Sequence, residues 1–572
     1  MLHELDPNVD TAAGAAGTAA EAPTAATVRH LRQVLLWPLR LLPVPGAEGP
    51  HRRPWQLLRD LGDKSPWREV VDEYTGESAR FHERHYNEFV TFLPYVQRFL
   101  YGEGRSSRYA GDADAGSPMR VFRRHDIAAL RGVARPGDAP LTLNVVHVDL
   151  YFFFDVDVVM LNVEVSADQL SLAQAQEFLY RFGRAYPGGW DAAGRALNCM
   201  HGVEWLGADA QVLATSDSQQ REVFLAHVSE HRAPRFATHW AFLLEPLVAD
   251  HSEHEGALRY RQIEYYRMPM MAYLALDNPR QLTRADFIRL GLVTGAAERS
   301  GSADTPLPFG EQHLHDFEQR YCYDRFWADA GAAPNTRYLC CGNALVVIGD
   351  ARSEYYRCRD RGVLAQFRHQ HFLLFLIAHF QKAALLMFSD RLVEALKGLD
   401  VNRPDSIKRF KREIRGSFEG FLRFTHRYWF HDVSEVVQVR ALFKLCATHL
   451  GLDALYDEVK DRIADMNSYL DADSLRRQAN TVVRLTVVTI FGLIGTVTSG
   501  FLGMNLIAEA DASWTRKTVL FMLVFIPTIV LTGVTMIKSK SLSDYLDCLS
   551  DDRLSLWSKF KAFGAVWRSP TD

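Results

Sequence analysis

The sequence predicts an α+β (α/β) cytoplasmic domain, followed by long stalk helices and a C-terminal hairpin of two transmembrane helices. Three observations support this fold class. Residues 143–165 are rich in β-branched and aromatic side chains and in part alternate strictly between apolar and polar residues, as strands do. No proline or glycine interrupts the chain between Asp453 and Gly492, which favours one long helix. Two apolar segments, 482–502 and 519–537, each have close to the ~20 residues that a helix needs to cross a bilayer.

The composition is that of a mostly water-soluble protein with a smaller apolar part. The chain has 572 residues, of which 48% are hydrophobic and 23% charged, with a formal net charge of -4. This near-neutral charge gives no reason to expect nucleic acid as a partner. The seven cysteines are odd in number and include no Cys-x-x-Cys pair. We therefore expect a reducing, cytoplasmic compartment and no structural zinc site.

The N-terminal two thirds of the chain are predicted to form the cytoplasmic domain. Residues 1–27 are rich in alanine and lack a basic start followed by an apolar run, which predicts a disordered tail and not a signal peptide. Residues 28–364 are predicted as the α/β domain. It is expected to be mostly helical up to residue 100, with an exposed loop at 102–118, strands at 143–148, 151–165 and 338–348, and a helix at 169–186.

Long cytoplasmic helices are predicted for residues 365–452. The segment 371–397 is apolar enough to resemble a third membrane span. His379, Gln381 and Lys382 interrupt its middle, where polar and charged groups are costly in a bilayer. We therefore predict a buried helix of the water-soluble part.

Capping residues predict where the helices after this segment begin and end. Asp405 or Ser406 can cap the next helix, which is expected to run to about Tyr428. Gly451 is a predicted C-terminal cap, and Asp453 a predicted N-cap.

The C-terminal part is predicted to be a stalk that continues into a membrane hairpin. The stalk helix, 453–481, is expected to continue without a break into transmembrane helix 1, 482–505. An outer loop, 506–518, leads to transmembrane helix 2, 519–538, and a cytoplasmic tail, 539–572, follows. Because a short loop joins the two spans, both ends of the hairpin lie on one side of the membrane.

Flanking charge predicts the orientation of the hairpin. Arg516 and Lys517 end the outer loop, whereas five basic residues flank the spans on the other side. These five are Arg476, Arg477, Arg484, Lys538 and Lys540. Basic residues concentrate on the cytoplasmic side of membrane proteins. We therefore expect a multi-pass protein of the inner (plasma) membrane with two spans and both termini in the cytoplasm.

A Gly503-Met504-Asn505 tripeptide ends the first apolar segment. At the exit of the first of two C-terminal spans, this motif resembles that of the CorA family of divalent metal ion (magnesium) transporters. The resemblance is specific in the stalk and hairpin, and upstream it extends to the general plan only. It implies a CorA-like funnel, a homo-oligomer that is pentameric in the family, and a transport protein without enzymatic activity.

The resemblance assigns Gly503, Met504 and Asn505 to an outer ring that selects the ion. Mg²⁺ holds its water molecules tightly, so a ring of amide and carbonyl oxygens can recognise the hydrated ion. Asn505 supplies one such amide per subunit, and Gly503 lets the backbone leave helical geometry. A simple helix-ending turn is the alternative for these residues.

Steps of three or four residues back from Asn505 define one face of the first span, which we call the predicted pore face. Its threonines can offer hydroxyl groups to a hydrated ion, and its bulky apolar residues can form constrictions. In the family, a threonine and bulky apolar residues occur at comparable steps. The alternative is that this face packs against other helices. The predicted pore-lining residues are Thr496, Leu493, Thr489, Leu485 and Val482.

Acidic residues are candidates for attracting or sensing cations. Glu509 and Asp511 lie in the outer loop, where they can attract cations. By the resemblance, acids on the stalk are candidates for a regulatory metal site, although they can equally keep the helix soluble. These stalk acids are Asp461, Asp465, Asp471 and Asp473.

We predict Mg²⁺ influx through a homo-oligomeric channel, with Mg²⁺ also the candidate regulatory ion and no organic cofactor. No Gly-x-x-x-x-Gly-Lys-Ser/Thr motif occurs in the sequence, so the electrochemical gradient is the expected driving force. Leu502 stands where the family usually has an aromatic residue, and few acids follow Asn505, which leaves ion selectivity open. The alternatives are a Zn²⁺, Co²⁺ or Ni²⁺ transporter of the same superfamily and a non-conducting, membrane-anchored interaction or signalling module.

One motif points to another class of protein. His227, Glu230 and His231 fit the His-x-x-Glu-His pattern of inverted zinc peptidases, in which two histidines hold zinc and the glutamate acts as base. Pro234 is expected to end this helix soon afterwards, and no third ligand is evident. We therefore expect ordinary polar residues here.

Overall fold

The computed structural model describes residues 26–42, 53–70, 83–102, 118–253, 256, 258–264, 266–297, 307, 309–400, 403–503 and 513–537. The chain forms two units, Met1–Lys460 and Asp461–Asp572. The predicted tails, at 1–27 and 539–572, lie outside the described residues except for residues 26 and 27. The predicted loop at 102–118 also lies outside them except at its two ends.

The first unit contains one mixed sheet, in which the described residues form fourteen strands. They are β1 (Thr27–Leu41), β2 (Trp67–Glu69), β3 (Met119–Arg124), β4 (Ala129–Val133), β5 (Leu141–Phe153), β6 (Val158–Ser171), β7 (Gly202–Leu206), β8 (Val212–Thr215), β9 (Val248–Ala249), β10 (Arg259–Gln262), β11 (Met270–Leu276), β12 (Cys322–Tyr323), β13 (Arg337–Cys340) and β14 (Ala344–Asp350). The main path through the sheet is β12-β13-β14-β11-β1-β6-β5-β4-β7-β8. β11 pairs with β14 in parallel and β9 with β10 in parallel, whereas the other pairs are antiparallel.

Sixteen α-helices occur in the described part of the chain. They are α1 (Pro54–Asp60), α2 (Glu83–Thr91), α3 (Pro94–Tyr101), α4 (Leu172–Arg181), α5 (Arg221–His231), α6 (Thr238–Leu244), α7 (Arg284–Gly291), α8 (Glu311–Leu314), α9 (Phe317–Tyr321), α10 (Glu354–Arg357), α11 (Val363–Gln366), α12 (Phe372–Lys397), α13 (Pro404–Tyr428), α14 (Val437–Leu450), α15 (Leu452–Gly503) and α16 (Trp514–Ile537). A π-helical turn, Phe367–His371, joins α11 to α12.

Strand β1 lies inside the sheet, and it corrects the prediction that residues 28–100 are mostly helical. It pairs with β6 from Thr27 to Arg40 and with β11 on its other side. The strand is buried on both faces from Leu31 to Leu41. A strand covered on both sides has no apolar–polar alternation, so periodicity cannot distinguish it from a buried helix.

Several predicted elements are confirmed, with shifted ends. The strands at 143–165 are β5 and β6, and the predicted break at Gly342 separates β13 from β14, with a glycine φ of +85°. The helix predicted at 169–186 is shorter, because β6 continues to Ser171. Ser171 then caps α4: its hydroxyl accepts a hydrogen bond from the Gln174 backbone N–H at 3.2 Å.

Two layers of helices cover the sheet. On one face, α4 packs against β1, α6 against β7 and β8, and α7 against β13 and β14. The ring centroids of Trp37 in β1 and Trp240 in α6 are 6.4 Å apart on this face. On the other face, α12 lies against β1 and β6. Arg40 of β1 pairs there with Asp390 and Glu394 of α12.

Helix α12 confirms the prediction of a buried helix at 371–397. Its three polar central residues all bind neighbours within the first unit. His379 Nε2 lies 3.2 Å from the Gly342 carbonyl, Gln381 donates to the Tyr428 carbonyl at 2.9 Å, and Lys382 donates to Glu264 at 3.0 Å. Complete burial lowers the pKa of His379 to about 3.

The predicted caps are correct in part. Helix α13 ends at Tyr428 as predicted, but its N-cap is Arg403. The Ser406 hydroxyl instead accepts from the Asp400 N–H at 2.7 Å and donates to the Gly398 carbonyl at 2.8 Å. Gly451 ends α14 in the left-handed conformation, which confirms that cap. Because α15 begins at Leu452, Asp453 lies in its first turn and is not the N-cap.

We expect Phe380→Ala to lower the free energy of unfolding by about 3–5 kcal/mol, because it leaves a cavity in an aromatic cluster. Phe380 is 0% exposed and stacks on Phe153 at 3.9 Å and on Phe99 at 5.7 Å. Urea unfolding followed by near-ultraviolet circular dichroism measures the change. Leu396→Ala is the control, because Leu396 lies on the same helix but is 46% exposed. It should change the free energy by less than about 1 kcal/mol. Equal, small effects of both substitutions would contradict the buried position of α12.

Candidate functional site

The Gly503-Met504-Asn505 motif begins at the last residue of α15. Gly503 ends this helix, which confirms that one unbroken helix leads to the motif. Met504 and Asn505 lie outside the described residues, as do Glu509 and Asp511 of the predicted outer loop. Among these residues, the structure therefore describes Gly503 and the helix that presents it.

Two described helices are long and apolar enough to cross a membrane. The first, Val363–Lys397, has 78% of its most apolar window buried inside the protein, so it is a core helix. In the second, Trp514–Leu531, none of the window is buried. The segment Gln478–Leu493 of α15 is a shorter apolar helix. Within the second unit, α15 and α16 thus both carry apolar surface.

The two sides of α15 differ in exposure. The residues of the predicted pore face that the structure describes are all exposed, and at ~100° per residue they share one side of the helix. Val487, on roughly the opposite side, is only 2% exposed. Gly495 is on that side as well, and a Cβ atom there would lie 2.8 Å from Cγ2 of Thr528. Helix α16 therefore approaches α15 on the side that faces away from the predicted pore face.

The threonine hydroxyls of the predicted pore face bind their own helix. Thr489 donates to the Leu485 carbonyl and Thr496 to the Gly492 carbonyl, each at 2.8 Å. A hydroxyl that donates to the preceding turn keeps lone pairs directed away from the backbone. Because water bound to a cation presents hydrogens outward, these oxygens can accept from a hydrated ion.

Three of the predicted stalk acids have described side chains on α15. At ~100° per residue, Asp461 and Asp465 share one side of the helix, whereas Asp471 lies roughly 80–120° away from them. The side chain of Asp473 lies outside the described residues. In the part of the chain that the structure describes, no three His, Cys, Asp or Glu side chains are arranged to hold a metal ion. A regulatory metal site on the stalk therefore stays a prediction. Within one chain, Asp461 and Asp465 are two of the predicted acids that share one side of the helix.

The histidines of the peptidase-like motif lie on α5. The rings of His227 and His231 are 4.5 Å apart, and His231 stacks on His251 at 5.5 Å. Burial and the adjacent His231 lower the pKa of His227. The helix ends at His231, three residues before Pro234, as predicted. Among the described residues, no group of three His, Cys, Asp or Glu side chains that could hold a metal ion includes these histidines, so the structure gives no support to the zinc hypothesis.

A buried charge cluster on the sheet was not evident from the sequence. Glu164 of β6 pairs with Arg32 of β1, and it lies 3.5 Å from Arg368 in the π-helical turn and 3.8 Å from His147. Burial lowers the pKa of His147. The alternation in β6 identified Glu164 as polar, but only the packing of the turn onto the sheet shows that it is buried. Its charges are compensated by neighbours, so the cluster stabilises the contact between the sheet and the turn.

Cys358 is a candidate reactive residue that the sequence analysis also missed. It lies in the loop between α10 and α11, next to Arg357 and Arg359. The backbone N–H groups of Arg361 and Asp360 donate to its sulfur and lower the thiol pKa. Burial raises the pKa of other described cysteines, to about 11 for Cys199 and about 12 for Cys322.

We expect iodoacetamide at neutral pH to modify Cys358 at least about ten times faster than Cys199 or Cys322, because the thiolate is the nucleophile and a lowered pKa raises its population. Timed quenching followed by peptide mass spectrometry gives the rates. In urea the differences should disappear, since they arise from the folded environment. If Cys322 reacts first in the folded protein, the proposed environment of Cys358 is wrong.

Comparison with protein-family models, with curated proteins and with solved structures finds no match for this chain. Three features of the second unit bear on function: a helix that ends in Gly503, the apolar partner helix α16, and a side of α15 that is left open within one chain.

Proposed function

We propose that this protein is a homo-oligomeric membrane channel for divalent cations, most specifically for Mg²⁺ influx. The observation that carries the proposal is the two-sided character of α15. One side carries Thr489, Thr496 and the apolar residues between them and is open, while α16 approaches on the other side at Gly495. A helix that lines a pore needs one side for its own hairpin partner and one side for the ion path.

The apolar surface of the hairpin supports insertion into a membrane. Val519, Phe521 and Leu523 of α16 are 63%, 60% and 66% exposed. Leaving a side chain of this kind in water instead of apolar surroundings costs about 1.5–3 kcal/mol. A helix with many such residues on all sides needs a nonpolar solvent, and a bilayer supplies it for α16 and for the apolar part of α15.

The open side of α15 supports assembly of several copies. Two helices cannot enclose an ion path, so a pore needs the α15 helices of several subunits around one axis. The resemblance to the CorA family suggests five. In such an assembly the predicted pore face would point to the axis and α16 to the lipid.

The chemistry of the open side suits a cation that keeps its water. The hydroxyls of Thr489 and Thr496 can accept hydrogen bonds from bound water, and Leu485 and Leu493 can narrow the path between them. Asn505 would add one amide oxygen per subunit at the outer mouth. A divalent ion gains about 4.6 kcal/mol per 100 mV when it moves to the negative side, so influx needs no further energy source. We place both termini in the cytoplasm on the basis of flanking charge.

We expect Asn505→Ala to abolish Mg²⁺ uptake into proteoliposomes without preventing assembly, since it removes the amide that would contact the hydrated ion. Asn480→Ala is the matched control, because Asn480 is an exposed asparagine of α15 outside the predicted span. Mg²⁺ uptake by the Asn480 variant should equal that of the unchanged protein. Parallel measurements with Co²⁺, Ni²⁺ and Zn²⁺ identify the transported ion. Normal Mg²⁺ uptake by the Asn505 variant would refute the role of this residue, and the absence of uptake of all four ions by the unchanged protein would favour a non-conducting module.

Cysteine cross-linking tests the direction of the open side. In a variant whose native cysteines are replaced, Leu485→Cys or Leu493→Cys should give disulfide-linked dimers on oxidation in membranes, because like residues would meet near the axis. Val487→Cys should not, because Val487 is buried on the opposite side. Gel electrophoresis without reductant measures the yield. Efficient linkage through position 487 alone would show that the helix is rotated relative to this proposal.

A further inference from the structure

A basic cavity lies at one edge of the sheet in the first unit, far along the chain from the Gly503 motif. Its volume is about 760 Å³, within the ~300–1,000 Å³ of typical small-molecule sites. Four arginines and one histidine line it: Arg29, His30, Arg352, Arg357 and Arg359.

Strand ends and a bulge build this cavity. The parallel strands β11 and β14 end side by side at Leu276 and Asp350. The carboxyl ends of parallel strands are a common place for ligand sites. Beside them, the pairing of β1 with β11 shifts between Val28 and His30, which leaves Arg29 at an irregularity. Its neighbour Gln169 in β6 has a φ of +58°, rare for a residue other than glycine and frequent at functional sites.

Two of the basic side chains that line the cavity, Arg29 and His30, are held by carboxylates. Arg29 donates to Asp277 at 2.5 Å and to the Gln169 side chain at 3.3 Å. His30 Nδ1 lies 2.6 Å from Asp168, and its Nε2 has no partner in the described part of the chain. These contacts hold the Arg29 and His30 side chains in place in the lining of the cavity.

Arg352, Arg357 and Arg359 add charge from the segment after β14. Arg352 is paired with Asp350 at 2.7 Å. Arg357 and Arg359 are exposed, and neither side chain has a hydrogen bond or an ion pair to any described residue. Two unpaired guanidinium groups beside a cavity leave a local excess of positive charge and two free forks of N–H donors.

The surroundings favour an anion and give little surface for an aromatic ring. Two aromatic rings belong to the described lining, those of Tyr273 and His30. Tyr273 is 0% exposed and its hydroxyl donates to the Tyr356 carbonyl at 2.8 Å, and the His30 side chain is 21% exposed. A ligand with a base or another flat ring would therefore find little exposed aromatic surface here.

We propose that this cavity binds a small anion with two or more phosphate groups, held through the phosphate chain by Arg357 and Arg359. Arginine forks match pairs of phosphate oxygens, and two adjacent forks match a chain of at least two phosphates. Inorganic polyphosphates and the phosphate chain of nucleotides share this chemistry. The proposal is independent of ion transport.

Isothermal titration calorimetry on the full chain in detergent tests the proposal. The ligands are tripolyphosphate, ATP and adenosine, in buffer with EDTA so that no divalent cation takes part. Tripolyphosphate and ATP should bind with similar affinity, and adenosine should not bind. Binding of ATP without binding of tripolyphosphate, or binding of neither, would overturn the proposal.

Matched variants locate the site. Arg357→Ala and Arg359→Ala should each weaken tripolyphosphate binding by at least about tenfold, because each removes a charge-assisted contact. Arg361→Ala is the control: it removes the same charge from the same segment, but Arg361 donates to Glu83 at 2.5 Å and is not part of the lining. The affinity of the Arg361 variant for tripolyphosphate should differ from that of the unchanged protein by less than about threefold. Arg357→Lys, which keeps the charge but loses the fork, should be intermediate. Equal affinities of the Arg357, Arg359 and Arg361 variants, with unchanged thermal stability, would place the anion elsewhere and refute the assignment.

Discussion

The pairing of strand β1 with β6 and α12 is the constraint on which the first unit depends. β1 is buried on both faces, yet it carries Arg32 and Arg40, each about 5–6% exposed. A buried charge without a partner costs several kcal/mol. Arg32 therefore pairs with Glu164 of β6, and Arg40 with Asp390 and Glu394 of α12. The pairs of Arg40 connect an N-terminal strand to a helix far along the chain, because Arg40 and Asp390 are 350 residues apart.

Buried polar groups, like buried charges, need partners, and this explains why the most apolar helix of the first unit is not a membrane span. Helix α12 places His379, Gln381 and Lys382 against Gly342, Tyr428 and Glu264, and each polar group finds a partner inside the protein. In α16, by contrast, none of the most apolar window is buried within the chain. Apolar content alone does not separate the two helices, whereas the burial of their side chains within the chain does.

The two proposed ligands differ in the chemistry that recognises them. A hydrated cation at α15 would meet neutral oxygens, from hydroxyls and from the amide of Asn505, which tolerate the bound water. A phosphate chain at the edge of the sheet would meet guanidinium groups, which bind phosphate oxygens directly. Neutral oxygens on a helix and arginines around a cavity are thus two distinct kinds of binding site, and neither proposal requires the other.

The sequence by itself determined the elements whose signals are local. The cap at Gly451, the break at Gly342 and the unbroken course of α15 follow from residues close together in the chain, because turns and helix ends depend on local backbone preferences. Only the tertiary structure decided that β1 is a strand, that Glu164 is buried and that Arg29 and Arg357 line one cavity. Burial on both faces removes the alternation by which a strand is recognised. A cavity formed from distant segments has no sequence spacing at all, because its residues meet only when the strands of the sheet pair.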